Sequence, residues 1–132
     1  MIEMKLLQIQ IDETRLEQVV VLKEKSGTKI LPIVIGINEA RAIYDNIYDV
    51  QYQRPMTHDL IKSMIEKFKI KLEKLIIDKI ENGTFHAKLV FKNKEDVEVV
   101  IDTRPSDGLA IALRMKSPIF AEEYVLQNSL EV

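Results

Sequence analysis

The sequence predicts an α+β fold, in which a mixed β-sheet containing an antiparallel meander packs against about three helices. Two patterns predict it. Apolar residues alternate at the period of a strand near the start and in the middle of the chain, and segments of helical period lie between and after them. The length of 132 residues is typical of one domain, so residues 1–132 are treated as one unit.

The first third of the chain predicts three strands. Apolar and polar residues alternate over 7–11, as in a half-buried strand, and 19–22 is an unbroken apolar run typical of a central strand. We expect these two strands to be neighbours. Residues 30–35 predict a third strand, whose Pro32 lacks an N–H group and so belongs at a sheet edge or a bulge.

Two helices are predicted next. Residues 40–48 follow helical spacing, with Asn38 as the expected N-cap. A second helix is expected to have Thr57 as its N-cap and to bury one apolar face. That face consists of Ile61, Met64, Ile65 and Phe68.

Residues 70–102 predict the antiparallel meander. Strands are expected over 70–80, 85–92 and 97–102, and Asn82-Gly83 is a strong signal for a two-residue hairpin turn.

A third helix is expected to begin near Ser106. It is apolar on all sides, which is typical of a buried helix, and its Gly108 suggests close packing. The tail after residue 117 is too apolar for a free end. We expect it to dock on its own core or on a second subunit.

Composition excludes several classes of function. Cysteine is absent, which rules out disulfides and thiolate metal sites. The net charge of -2 argues against a domain that coats nucleic acid by global attraction, so any such contact must be local. The lysine-rich stretch 62–79 is the best local candidate, and a solvated surface explains it equally well.

The chain has no feature of a membrane or exported protein. Residues 1–5 do not resemble a signal peptide, and no apolar run approaches the roughly 18 residues needed to cross a bilayer. We expect a cytoplasmic protein.

Two segments, 54–59 and 104–107, share one design: an Arg-Pro pair, a short polar residue and an Asp at the start of a helix. Helix N-termini offer unpaired N–H groups and a positive dipole end, so each could bind a phosphate. The candidate phosphate-binding residues are Arg54, Thr57, Arg104 and Ser106. Helix capping, which uses the same residue types, is the alternative role.

Cleavage of a phosphodiester favours a divalent cation, and Mg²⁺ or Mn²⁺ favours carboxylate oxygens. The carboxylates nearest the two helix starts are Asp59, Asp102 and Asp107, which are therefore candidate metal ligands. His58 can exchange a proton near neutral pH and is a candidate general base or metal ligand, with Asp59 and Asp107 completing the catalytic set. The alternative for His58 is a local hydrogen bond that organises the turn.

Four segments resemble the successive motifs of a known family. They are Leu31-Pro32-Ile33-Val34-Ile35-Gly36, Arg54-Pro55-Met56-Thr57-His58-Asp59-Leu60, Asn82-Gly83-Thr84-Phe85-His86-Ala87 and Asp102-Thr103-Arg104-Pro105-Ser106-Asp107. In order and spacing the chain resembles the bifunctional nuclease domain family over nearly its whole length. The resemblance implies a mixed α+β domain that often self-associates, with cleavage of DNA and RNA attributed to some members.

Two hypotheses for function follow. The first is a nuclease that acts on DNA or RNA phosphodiesters with Mg²⁺ or Mn²⁺. The second is a non-catalytic homodimeric module that binds an anionic ligand, a nucleic acid or a protein, and the near-neutral charge favours it. A homodimer is expected because small domains often cover an apolar tail and a proline-containing strand edge by self-association.

Overall fold

The computed structural model describes residues 1–127 and 130–131, and it confirms the α+β class. The described residues form one mixed sheet and four helices. In chain order the elements are β1 (Ile2–Ile9), β2 (Glu17–Glu24), β3 (Lys29–Gly36), α1 (Ile37–Ile47), α2 (Thr57–Lys67), β4 (Lys71–Glu81), β5 (Thr84–Lys92), β6 (Glu98–Thr103), α3 (Pro105–Met115), β7 (Ile119–Ala121), α4 (Glu123–Leu126) and β8 (Leu130–Glu131).

The order of the strands across the sheet is β6-β5-β4-β7-β1-β2-β3-β8. Neighbours are antiparallel except β4 and β7, which run parallel with Leu75 opposite Ile119. The chain must therefore return from the β6 edge to the middle of the sheet. It does so through α3, which packs on β4 and β5 and also contacts α1 and α2.

The core lies between one face of the sheet and the helices. Leu22, Leu75 and Ile77 are fully buried on the strands, and they meet Ile43 of α1 and Leu109 of α3. Each such side chain contributes about 1.5–3 kcal/mol through removal from water. The predicted all-round burial of α3 is confirmed for most of its residues.

Gly108 shows why the central helix tolerates a weak helix former. A Cβ at this position would lie 2.6 Å from Leu75 Cδ1 and 3.1 Å from Thr103 Cγ2. The close approach of α3 to the sheet therefore favours glycine, as the sequence suggested.

The predicted hairpin is confirmed. Asn82 and Gly83 have φ values of 51° and 78°, the positive values that a type I′ turn requires at both central positions. The turn joins β4 to β5, and β6 completes the meander.

The first strand differs from its prediction. It begins at Ile2, and a β-bulge between Leu6 and Gln8 shifts the alternation, so Leu7 is exposed while Ile9 is buried. Ile11 lies after the strand. The expected pairing of the first two strands is confirmed.

Pro32 lies opposite Val21 of β2, on the inner side of β3. Among the described residues, the outer side of β3 pairs with β8 at Lys29 and Ile30. β3 is the last strand but one in the sheet, so the placement of Pro32 at an edge or a bulge stays a prediction.

The predicted helix starts hold within a residue or two, but the predicted caps are wrong. Gly36 and Met56 occupy the N-cap positions of α1 and α2, where Asn38 and Thr57 were expected, and both of those lie inside their helices. At the start of α2 the capping side chain is that of Asp59, which accepts a hydrogen bond from the Met56 N–H at 3.1 Å.

The predicted buried face of α2 is only partly right. Ile65 is buried and Ile61 is partly buried, whereas Met64 and Phe68 are exposed. The reason is that α2 lies at the periphery, where it contacts α3 and β4 along a narrow stripe.

The apolar tail docks on its own core as far as it is described. Val125 and Leu126 of α4 are buried, and Tyr124 accepts a hydrogen bond from the Ile80 N–H at 3.2 Å. Residues 128, 129 and 132 lie outside the described part of the chain.

Candidate functional site

The two Arg-Pro segments come together where α2 and α3 begin side by side. His58 is the second residue of α2, Asp107 is the third residue of α3, and His58 Nε2 lies 2.9 Å from Asp107 Oδ1. His58 is 9% exposed, so this hydrogen bond is largely shielded from solvent. Residues 49 positions apart in sequence therefore form one side-chain pair.

Asp107 is shared between the histidine and an arginine. Arg104, the N-cap of α3, donates to Asp107 Oδ2 from Nε at 3.1 Å and from Nη2 at 2.8 Å. Burial acts to raise the pKa of Asp107, but the hydrogen bonds from His58 and Arg104 and the Arg104 charge outweigh it, and the pKa is lowered. The Asp107 carboxylate is therefore ionised at neutral pH.

An ionised Asp107 determines the tautomer of the neutral His58 ring. The carboxylate can only accept, so Nε2 carries the proton and donates it. Nδ1 is then the nitrogen that remains able to accept a proton. This is how a carboxylate prepares a histidine for general-base work.

The pair lies in the wall of an open pocket of about 770 Å³. The pocket has a polar side, formed by the starts of α2 and α3, and an apolar side, formed by the sheet and the helices. The apolar lining includes Ala42, Ile61, Leu89, Phe91, Ile101 and Ile111. The pocket can thus receive a group that is polar at one end and flat or apolar at the other.

Asp59 faces a different partner. Its Oδ1 accepts from Arg114 Nε at 2.8 Å, and its other carboxylate oxygen accepts from the Met56 N–H at 3.1 Å, which caps α2. Burial acts to raise the pKa of Asp59, but these two hydrogen bonds and the Arg114 charge lower it overall. Asp59 is therefore an ion-pair partner and a cap at the same time.

Arg114 is the residue of this region that sequence reasoning missed. It is only 7% exposed, and its Nη1 donates to the Ala110 carbonyl oxygen at 3.1 Å. A signal for it was present, because an arginine that ends a helix apolar on all sides needs a buried anion. Its partner Asp59 is 55 residues away in sequence, which is why the pairing was not evident.

Comparison with known proteins identifies the family of this chain. The family model for the bifunctional nuclease domain matches residues 20–131, which include both Arg-Pro segments. The chain belongs to the bifunctional nuclease domain family.

Relatives of this bifunctional nuclease domain occur in bacteria and plants. An uncharacterized protein of Mycobacterium tuberculosis is 39% identical over 127 residues, covering 96% of this chain and 75% of the relative. Bifunctional nuclease 1 of Arabidopsis thaliana is 28% identical over 109 residues, covering 80% of this chain and 34% of the relative. Bifunctional nuclease 2 of Oryza sativa subsp. japonica is 29% identical over 112 residues, covering 83% and 34%.

Five of the eight candidate residues lie at the pocket of this bifunctional nuclease domain. They are Thr57, His58, Asp102, Arg104 and Asp107. Thr57 and Asp102 are exposed at its rim, and Asp102 comes from β6.

The other three candidates lie elsewhere. Arg54 is exposed and lines a separate depression together with Asp59 and Arg114. Ser106 is buried and lines a third depression, near β3 and the β4–β5 turn. The structure therefore does not bring the two arginines of the Arg-Pro segments to one phosphate.

The carboxylates do not fit a dedicated site for Mg²⁺ or Mn²⁺. Both oxygens of Asp107 are engaged by His58 and Arg104, and both oxygens of Asp59 are engaged by Arg114 and Met56. In residues 1–127 and 130–131, no three His or acidic side chains are grouped closely enough to hold a metal ion. Asp59 and Asp107 each have a guanidinium where a cation would otherwise bind, and Asp102 is exposed on β6.

The charged residues around the pocket are nearly balanced. Arg41 forms an ion pair with Glu13, and Arg104 Nη2 lies 3.8 Å from Glu39 Oε1 in addition to its bonds with Asp107. The lysine-rich stretch 62–79 also includes lysines paired with nearby glutamates. In the described part of the chain, no helix is long and apolar enough to cross a membrane.

Proposed function

We propose that this domain cleaves phosphodiester bonds of DNA or RNA in the pocket between α2 and α3. The observation that carries the proposal is the 2.9 Å contact between His58 Nε2 and Asp107 Oδ1, which joins the two Arg-Pro segments at an open pocket. Membership of the bifunctional nuclease domain family supports it, as do plant relatives whose names describe nucleases.

His58 has the role of the proton-transfer group. The nucleophile is a water molecule or, in RNA, the neighbouring 2′-hydroxyl, and it gives its proton to Nδ1 of His58 while its oxygen attacks phosphorus. The bond from phosphorus to the oxygen of the leaving nucleotide breaks, and that oxygen takes a proton from solvent. The Asp107 carboxylate holds the ring and stabilises the imidazolium that forms. Proton transfer of this kind contributes about 10²–10⁴-fold to rate.

Arg104 has the role of the phosphate-binding group. Its side chain is 69% exposed, and a planar guanidinium can contact phosphate oxygens in pairs. As negative charge builds on the phosphate in the transition state, the fixed positive charge of Arg104 stabilises it. Asp107 keeps the guanidinium beside the histidine.

The pocket favours a single strand over a duplex. An open pocket of about 770 Å³ has room for an unstacked base, and Ile101 offers it an exposed apolar surface. The near-neutral charge implies few phosphate contacts and a shallow dependence of binding on salt. We therefore propose single-stranded RNA or DNA, with limited sequence preference, as the substrate.

The test is cleavage of end-labelled single-stranded RNA and DNA by the purified protein. His58→Gln should reduce the rate by about 10²–10⁴-fold. The matched control is His86→Gln, which changes the other of the two histidines, on β5 outside the pocket, and should cleave like the wild type. Equal rates for His58→Gln and the wild type would overturn the proposal.

Dependence on Mg²⁺ or Mn²⁺ is tested in the same assay. Reactions with each cation are compared with reactions that contain a chelator. The proton-transfer steps above use His58, Asp107 and Arg104, so cleavage should persist in the chelator. Full loss of cleavage on chelation, with recovery on adding the cation, would contradict these steps and support a metal-dependent mechanism.

The second candidate function is a non-catalytic homodimeric module that binds an anionic ligand, a nucleic acid or a protein. One observation favours it: in residues 1–127 and 130–131, no three His or acidic side chains are grouped closely enough to hold a catalytic metal ion. Saturable binding of an oligonucleotide without turnover, weakened in Arg104→Gln, would support it.

We also propose that the protein acts in the cytoplasm as a homodimer. The cysteine-free composition suits a reducing compartment, and exposed apolar strands leave surface for a second copy. Cell fractionation and light scattering test the two statements separately.

A further inference from the structure

The start of α3 borders two cavities. Arg104 and Asp107 line the pocket where cleavage is proposed, and Arg104, Pro105 and Ser106 line an open depression of about 570 Å³. The other walls of this depression come from β3, the start of β2 and the β4–β5 turn. We call it the Ser106 depression. Apart from Arg104, the proposed cleavage steps use none of its residues.

Ser106 offers this depression a hydroxyl group. The residue is 5% exposed. The side-chain hydrogen bonds at the start of α3 are those of Thr103, Arg104 and Asp107, and none among the described residues involves the Ser106 hydroxyl. In the same part of the chain, Asp78 Oδ1 is the only side-chain polar atom that is sealed from solvent and lacks a hydrogen bond. The Ser106 oxygen is therefore not sealed, and it opens into the depression that the residue lines.

Backbone donors lie beside the hydroxyl. Pro105 has no N–H group, and the first helical hydrogen bond of α3 runs from the Gly108 N–H to the Arg104 carbonyl oxygen at 3.0 Å. The N–H groups of Ser106 and Asp107 precede that bond, and the N-cap residue makes no side-chain capping bond to them. Together with the positive end of the helix dipole, these donors favour an anion.

Arg104 connects the Ser106 depression to the pocket, because it lines both. Its Nε and Nη2 bind Asp107, while the side chain as a whole is 69% exposed, so Nη1 can contact a second ligand. Glu17 also lines the depression, but it is exposed and solvent screens its charge. The polar end of the depression therefore favours a negative group.

The outer wall of the Ser106 depression is apolar. Leu16 and Val34 are 83% and 60% exposed there, and Phe85 lies beside them, half-buried. Surfaces of this kind hold unstacked bases. An anion site with an adjoining apolar surface matches a nucleotide better than it matches a free inorganic anion.

We propose that the start of α3 binds the phosphate next to the scissile one, through the Ser106 hydroxyl and the N–H groups of Ser106 and Asp107. The single strand then runs from the pocket, past Arg104, into the Ser106 depression. This inference rests on the proposed function and adds a second nucleotide site to it.

The test compares three small ligands by competition against a fluorescein-labelled oligothymidylate, followed by fluorescence anisotropy. The dinucleotide TpT has one phosphodiester, pTpT adds a 5′-phosphate, and TpTp adds a 3′-phosphate. One of the two added phosphates should strengthen binding by about 10-fold over TpT, as expected for hydrogen bonds to a charged group. The end that does so gives the direction of the strand. Equal binding of all three ligands would overturn the proposal.

Ser106→Ala should remove that gain and leave the binding of TpT unchanged. The urea midpoint of unfolding should also stay unchanged, because no hydrogen bond within the protein is lost. The matched control is Ser117→Ala, whose hydroxyl donates to the Leu72 carbonyl oxygen at 2.9 Å. It should lower the urea midpoint and keep the gain.

Three results would contradict the role given to Ser106. They are a gain that survives Ser106→Ala, a loss of TpT binding equal to the loss of the gain, and a urea midpoint lowered as far as by Ser117→Ala. A measurement on the wild type covers a variant that does not fold. The amide signals of Ser106 and Asp107 in ¹⁵N–¹H spectra should move on adding the stronger ligand and not on adding TpT, and unmoved signals would reject the site.

The binding test is independent of cleavage. The competition is repeated with His58→Gln, in which the ligands should stay intact, and the gain should be the same. A protein that shows the gain but never cleaves would refute only the proposed cleavage. A protein that cleaves but shows no gain would refute only the second phosphate site.

Discussion

The two helix starts that follow an Arg-Pro pair have similar sequences, but their aspartates bind different partners. In both, the aspartate is the third residue of its helix. Arg104 and Asp107 are three residues apart, which places them on one face of the turn and lets them pair. Arg54 and Asp59 are five residues apart, and Arg54 lies in a separate depression. The spacing therefore decides whether the arginine can form an ion pair with the aspartate of its own segment.

Each aspartate also binds a side chain of the other helix. Asp59 of α2 pairs with Arg114 of α3, while Asp107 of α3 pairs with His58 of α2. These reciprocal contacts join the two helices at two points. The Asp59–Arg114 contact involves a buried arginine, so we expect it to contribute to stability. The Asp107–His58 contact holds a histidine that lines the pocket, so we expect it to contribute to catalysis.

The largest effect on stability is expected from Asp59→Asn. It removes the charge that compensates Arg114, which is buried, and because the Asp59 side chain is itself 40% exposed the cost is about 2 kcal/mol, between the values for exposed and for buried pairs. Urea unfolding would measure the lost free energy of unfolding. If Asp59→Asn lowered the free energy of unfolding no more than Asp107→Asn does, the proposed structural role of Asp59 would be contradicted.

The pH dependence of stability sharpens the same point. The pKa of Asp59 is lowered in the folded protein, so its contribution is fully present above the unfolded-state pKa of about 3.9 and is lost as pH falls through the folded-state pKa. The stability gap between the wild type and Asp59→Asn should therefore be constant near pH 7 and shrink below about pH 4. Unfolding free energies measured at a series of pH values would show it, and a gap that widens in acid would refute it.

Asp107→Asn should reduce cleavage strongly and the free energy of unfolding only slightly. Its arginine partner is exposed, so the free energy of unfolding should fall by only about 1 kcal/mol or less. Cleavage should fall by about 10²–10⁴-fold, because His58 loses the carboxylate that stabilises its protonated form. Unfolding and cleavage measured on one preparation would separate this outcome from that of Asp59→Asn.

The smallest effect is expected from Arg54→Ala. Arg54 is exposed, and surface substitutions of this kind change the free energy of unfolding by about 0.5 kcal/mol or less. Arg104→Ala should reduce cleavage more than Arg54→Ala, because only Arg104 lies at the pocket. The reverse order would place the phosphate in the depression beside Arg54.

Much of the architecture could be predicted from local patterns. The hairpin at Asn82-Gly83 needs two positive φ values, and these residue types adopt them readily. The all-round apolar character of α3 reflects its burial between the sheet and two helices. By contrast, Met64 and Phe68 have a helical apolar spacing and are still exposed, because periodicity does not say how much of a stripe its neighbours cover.

By itself, the sequence determined the α+β class, the meander, the approximate starts of the three long helices and five of the residues that line the pocket. These depend on interactions over a few residues, whose preferences are present in any segment of the same pattern. Only the tertiary structure decided that Asp107 meets His58 and that Asp59 meets Arg114, across 49 and 55 residues. The residue types in those pairs were visible in advance. Their partners depend on how closely α2 packs against α3, which is set by the whole core and not by either segment.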